Sequence, residues 1–125
     1  MTIGQDIYTK LTGDAGVSAL VGTRVYPAQF RQQDTLPAIR YTRISSTNYH
    51  TMSVDTGVER FRYQIDMIDD TYAGVDALSD VVKTALRRWR KTGIQDTYII
   101  SESDIYDDEL KLHRIRIDVD IVSGD

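Results

Sequence analysis

Residues 60–68 read RFRYQIDMI and residues 112–122 read LHRIRIDVDIV. Polar and apolar side chains alternate in both, the two-residue period of a strand that buries one face. Run antiparallel, the stretches can place Arg60 opposite Asp120, Arg62 opposite Asp118 and Asp66 opposite Arg114. That register also sets Phe61 against Val119, Tyr63 against Ile117 and Ile65 against Ile115 on the other face. A parallel alignment would bring Arg60 and Arg62 beside Arg114 and Arg116. Opposite charges across a ladder contribute roughly 0.2–1 kcal/mol a pair and like charges cost a similar amount. The pattern therefore predicts an antiparallel sheet with one ionic face and one apolar face.

The rest of the chain supplies what covers the apolar face. Ile3, Ile7 and Leu11 fall at helical spacing before Gly13, predicting a short helix over 3–12. Asp14 can cap a second short helix, 15–21, that buries Val17, Leu20 and Val21 and stops at Gly22. Residues 23–27, TRVYP, read as extended, residues 28–35 as a loop, and residues 38–44 as a strand. Residues 45–57, SSTNYHTMSVDTG, are too polar for a core and long for a connection between strands. They are expected to form a projecting loop or, the reading favoured here, a hairpin arm continuing both strands.

After strand 58–68, Asp69, Asp70 and Thr71 suit a helix N-terminus. Val75, Leu78, Val82, Ala85 and Trp89 trace one stripe through 72–91, with Arg87, Arg88, Arg90 and Lys91 in its last turn. Residues 95–101 read as a third strand, 102–109 (ESDIYDDE) as an acidic turn and 110–122 as the fourth strand. The fold expected is α+β: a two-layer, four-stranded antiparallel sheet with helices packed on one face, in the order α-β-β-α-β-β, as a single domain spanning 1–125.

The chain has 125 residues, a net charge of −4 and no cysteine, which excludes disulfides and cysteine-based redox or metal sites. No secretory leader and no stretch near the ~18 apolar residues of a membrane span is visible. The negative balance argues against a free-standing nucleic-acid binder. Only His50 and His113 could serve as neutral-pH acid–base groups, and no nucleophile motif accompanies either. His113 is expected opposite Met67, half-buried at a strand end. The cluster Glu102, Asp104, Asp107, Asp108, Glu109 invites comparison with a calcium loop but lacks its glycine and spacing. No catalytic, metal or cofactor residue is assigned. The cations around Trp89 suit a helix C-terminus better than a nucleic-acid patch.

Four stretches, taken in order, resemble one known family: IYTKLTGDAGVSALVGTRVYP (7–27), LPAIRYTRIS (36–45), FRYQIDMIDDTYAGVDALSDVVKTALR (61–87) and HRIRIDVDIV (113–122). The chain is similar to the tail-completion, or tail-terminator, proteins of long-tailed bacteriophages and phage-derived particles. The resemblance implies a structural virion protein and no enzyme. Copies would form a ring, typically a hexamer, capping the head-proximal end of the tail tube. The ring would end tube growth and offer the docking surface for the neck, and the subunit could be a monomer in solution. Implied partners are the chain itself, the tail tube protein and the neck or head-completion protein. DNA would pass without specific binding, and no membrane is involved. The implied location is the tail–neck junction of the virion, with the host cytoplasm during assembly. A neck adaptor of similar size, a small tail hydrolase and a non-viral ligand-binding domain are the alternatives.

A closed ring needs two different surfaces of one subunit to fit each other. The candidates are the ionic face around Arg62, Arg114, Arg116, Asp118 and Asp120, and the arm carrying Tyr49, His50 and Met52. Six copies would carry 6 × (−4) = −24, a charge that repels DNA rather than binding it.

Overall fold

The computed structural model describes residues 3–27, 36–50, 55–109 and 111–124. Two short helices open the chain, α1 (Ile3–Gly13) and α2 (Ala15–Val21). Asp14 separates them, its carboxylate accepting from the Val17 N–H at 3.1 Å, which satisfies one of the free amides at a helix start. Strands β1 (Val25–Pro27), β2 (Ala38–His50) and β3 (Asp55–Asp69) follow, then α3 (Tyr72–Leu86), β4 (Ile94–Asp107) and β5 (Leu112–Ser123). Thr71 caps α3 by accepting from the Gly74 N–H at 3.1 Å. Gly74 is there because space forbids more: a Cβ would lie 2.0 Å from Asp69 Oδ2.

The sheet has five strands in the order β1-β2-β3-β5-β4, so the four-stranded antiparallel expectation is corrected. The added strand is 25–27, which pairs parallel to β2 through Val25↔Ile39, Tyr26↔Arg40 and Pro27↔Tyr41. Three residues are too few for an alternation to show. Pro27 is tolerated because an edge strand can leave its missing N–H unpaired.

β3 and β5 run antiparallel, but two residues away from the register expected. Arg62 faces Asp120, Tyr63 faces Val119, Ile65 faces Ile117 and Asp66 faces Arg116. A two-residue shift preserves the faces, and the odd-numbered apolar residues still point inward. In this register Asp66 meets Arg116 on one side and Arg40 of β2 on the other. All three helices bury their stripes in one core with these residues: Ile7, Leu11, Val17 and Val21 from α1 and α2, and Val75, Leu78, Val82 and Leu86 from α3.

Two further boundaries differ. Helix α3 ends at Leu86 rather than near residue 91. Arg88 takes a left-handed backbone (φ 57°), its N–H donates to the Thr97 carbonyl at 3.1 Å, and Thr97 Oγ donates to the Trp89 carbonyl at 2.9 Å. Trp89 is thereby laid into the core at 8 % exposure without needing another helical turn. Gly93 (φ 91°) turns the chain into β4. The acidic stretch 102–107 is the second half of β4, not a turn. Ladder bonds to β5 override its poor strand propensity, and its carboxylates remain outside.

Candidate functional site

The ionic face is built on the even-numbered residues of β3 and β5. At its centre Asp66 is 1 % exposed. Arg116 Nε donates to its Oδ1 at 2.8 Å, Arg40 donates through Nε and a terminal nitrogen to Oδ2, and Arg114 lies 3.6 Å from Oδ2. A second cluster surrounds Asp120, which accepts from Arg62 Nε at 3.1 Å and lies 3.9 Å from Arg60. The hydrogen bond to Asp120, followed by its charge, holds the Arg62 guanidinium above its ordinary pKa. Asp118 Oδ2 accepts from Ser101 at 3.1 Å, whereas its Oδ1 and Arg114 Nε are buried with no hydrogen-bond partner among the described residues.

This face is less open than the alternation suggests. Ala38 and Ile68, on the same side as Asp66, are buried at 0 % and 5 %. The side chains of Arg114 and Arg116 retain only 20 % and 31 % of their surface, against 43 % for Arg62 and 47 % for Arg60. The half around Asp66 is thus an internal ionic knot, and the half around Arg60 and Arg62 is the accessible part. On β2, β3 and β5 the face carries Arg40, Arg60, Arg62, Arg114 and Arg116 against Asp66, Asp118 and Asp120, or 5 − 3 = +2. The acidic excess of the chain lies elsewhere, largely along β4 and the turn after it.

Sequence reasoning gathered Arg62, Arg114, Arg116, Asp118 and Asp120, and the sheet brings all five onto one face. It missed Arg40, although Arg40 and Thr42 share an alternation phase within residues 38–44 that would have placed them there. Tyr49 and His50 end β2, where Tyr49 pairs with Val58 and His50 with Asp55; their side chains, and Met52 altogether, lie outside the described residues. His113 faces Asp69 and Tyr106, not Met67. Its ring sits 4.9 Å from that of Tyr106 and 5.8 Å from that of Tyr72, an aromatic packing role.

The cations after α3 serve the fold. Arg88 and Arg90 reach Asp96 at 2.8 Å and 3.4 Å, and Lys91 reaches Asp6 at 2.8 Å. Burial alone would raise the Asp96 carboxyl, but the Thr97 N–H, Tyr98, Arg90 and Arg88 outweigh it and leave it lowered. Among the described residues no helix is long and apolar enough to cross a membrane.

The family model described as Tail completion protein gp17 matches residues 5–124. Among solved structures, a chain of the virion of a native gene transfer agent particle has the same fold. Its TM-score is 0.78 over 95 % of this chain and 92 % of that one, at 18 % identity. No curated protein matches.

Proposed function

Since the chain belongs to the tail completion protein family, and is therefore a structural virion protein and not an enzyme, we propose that it is a tail terminator. Copies of it close into a ring, hexameric in the particle, on the head-proximal end of the tail tube. The ring ends tube polymerisation and presents the surface on which the neck docks. The observation that carries this reading is the family match over nearly the whole chain. Beside it stands a sheet whose helices all cover one side, leaving the part of the other side around Arg60 and Arg62 accessible. Arginine is favoured at protein interfaces, and charge complementarity there selects partners and register.

In this proposal the tube or neck meets the Arg60–Arg62–Asp120 half of the face, and the hairpin between β2 and β3, with Tyr49, His50 and Met52, reaches an adjoining subunit or the tube. Arg114, Arg116 and Asp118 act from behind by holding the sheet's register. DNA passes through the ring without specific binding, in keeping with the net charge of −4 per copy. The test is tail assembly with the gene for this chain removed. Tubes of uncontrolled length that fail to join heads are expected. Tubes of normal length with only the neck missing would support a neck adaptor instead.

A further inference from the structure

We infer that neighbouring copies join by their sheet edges, the outer edge of β2 in one copy lying against the outer edge of β4 in the next. This rests on the ring reading and names the contact that closes the ring. The first observation is that both edges are open over equal lengths. β1 covers only Ile39–Tyr41 of β2, so among the described residues no strand lies outside 42–50. On β4 the Arg88 N–H takes the Thr97 carbonyl, and beyond that point no described strand lies outside 99–107.

The second observation is direction. β2, β3, β5 and β4 are joined by three successive antiparallel pairings, so β4 runs opposite to β2. A copy added in the same orientation therefore meets the first as an antiparallel neighbour. The registers place 42–50 level with 94–101 and 99–107 level with the β1-covered end of β2, so the added copy is shifted along the strands for the ladder to continue across the junction. Such head-to-tail addition joins two different surfaces, the kind of contact that generates rings.

The third observation is charge. The open stretch 42–50 of β2 carries Arg43 and no carboxylate, whereas 101–107 of β4 carries Glu102, Asp104 and Asp107 and no cation, Glu102 being already held by Lys83 of α3. Two β2 edges repel each other, as do two β4 edges; only the mixed pair attracts. The charges thus suppress the two-fold dimers that an open edge otherwise invites. Both edges are also bulged beside the same transverse row, Arg43–Tyr63–Val119–Ile99. The extra residues, Ile44 and Ile100, are 50 % and 46 % exposed, giving each edge one apolar anchor.

The absence of cysteine makes the test direct. When 42–50 lies antiparallel against 99–107, Ile44 falls opposite Ile105, so Ile44→Cys, Ile105→Cys and the double variant are assembled into tails and treated with a short bismaleimide. The double variant is expected to give a ladder of covalent multimers and each single variant monomers only. Dimers from either single variant, or no multimers from tails that contain the double variant, would overturn edge pairing. A second arm reverses charge: Arg43→Glu and Asp104→Lys/Asp107→Lys chains are each expected to enter tails poorly, at least tenfold below the unsubstituted chain, and to recover when mixed. Unchanged entry of both would also overturn it. Imaging where the unsubstituted chain sits reports separately on the terminator reading, because a chain absent from the tube end would sink that reading whatever the cross-links show.

Discussion

Asp66 grips Arg116 across the central ladder, Oδ1 accepting from Nε at 2.8 Å, with the carboxylate sealed from solvent at 1 % exposure. Two further arginines share that carboxylate. Removing it would leave Arg40, Arg114 and Arg116 crowded around a neutral site. Asp66→Asn is expected to lower stability by about 3–5 kcal/mol, the usual consequence of breaking a buried pair from one side. Urea unfolding followed by circular dichroism measures it. A loss below about 1 kcal/mol would mean that the knot is solvated and contributes little.

Arg62 sits at the other end of the same face and behaves differently. Its side chain keeps 43 % of its surface, and exposed pairs contribute roughly 0.2–1 kcal/mol. Arg62→Gln is expected to leave the unfolding midpoint nearly unchanged while reducing incorporation into tails several-fold. Thermal melting and quantitative blotting of purified tails check the two halves. Unimpaired incorporation would remove this patch from the assembly surface.

Gly74 offers a test of local packing. In an open helix, alanine is more favourable than glycine by up to about 1 kcal/mol. Here the new methyl would meet Asp69 Oδ2 at 2.0 Å and Thr71 Oγ at 2.8 Å, disturbing the cap of α3. Gly74→Ala is expected to destabilise by about 1–3 kcal/mol, the range for overpacking. A stabilised variant would show that the Asp69 side chain swings away freely.

Glu102 gives a pH dependence of known sign. The Ser79 hydroxyl at 2.8 Å, then Lys83 at 3.0 Å, hold its carboxyl below the ordinary value. A group whose folded pKa is depressed contributes stability that is present above its unfolded pKa and lost as pH falls through the folded one. The stability gap between the unsubstituted chain and Glu102→Gln is therefore expected at pH 7 and closes at strongly acid pH. Asp69, raised first by burial, works in the opposite direction and is unaffected by that substitution. A gap that persists unchanged at low pH would contradict the assignment.

The alternation of residues 60–68 and 112–122 made the faces and the antiparallel sense legible, because period and charge agree over many positions. Their exact register was not, since a two-residue slip changes the partners but keeps every apolar residue on the same face. Charge did not separate the two registers at Asp66, because that carboxylate meets Arg114 in one and Arg116 in the other. The acidic half of β4 read as a turn because its composition is poor for a strand, and only its ladder with β5 holds it extended. Helix α3 read too long because Trp89 continues the helical stripe in sequence while reaching the core from a turn. Of the candidate site, the five charged residues were visible, and their division into a buried knot and an open patch was not. Burial depends on what packs at Ala38 and Ile68, which no local pattern reports.

The central claim is a place: the head-proximal end of the tail tube. Electron cryomicroscopy of assembled tails carrying a small tag after residue 124 tests it most directly. The account expects tagged density as one closed ring, six copies around, seated on the last layer of tube subunits. Tag density on the portal side of the neck, spread along the tube, or missing from finished particles would contradict it.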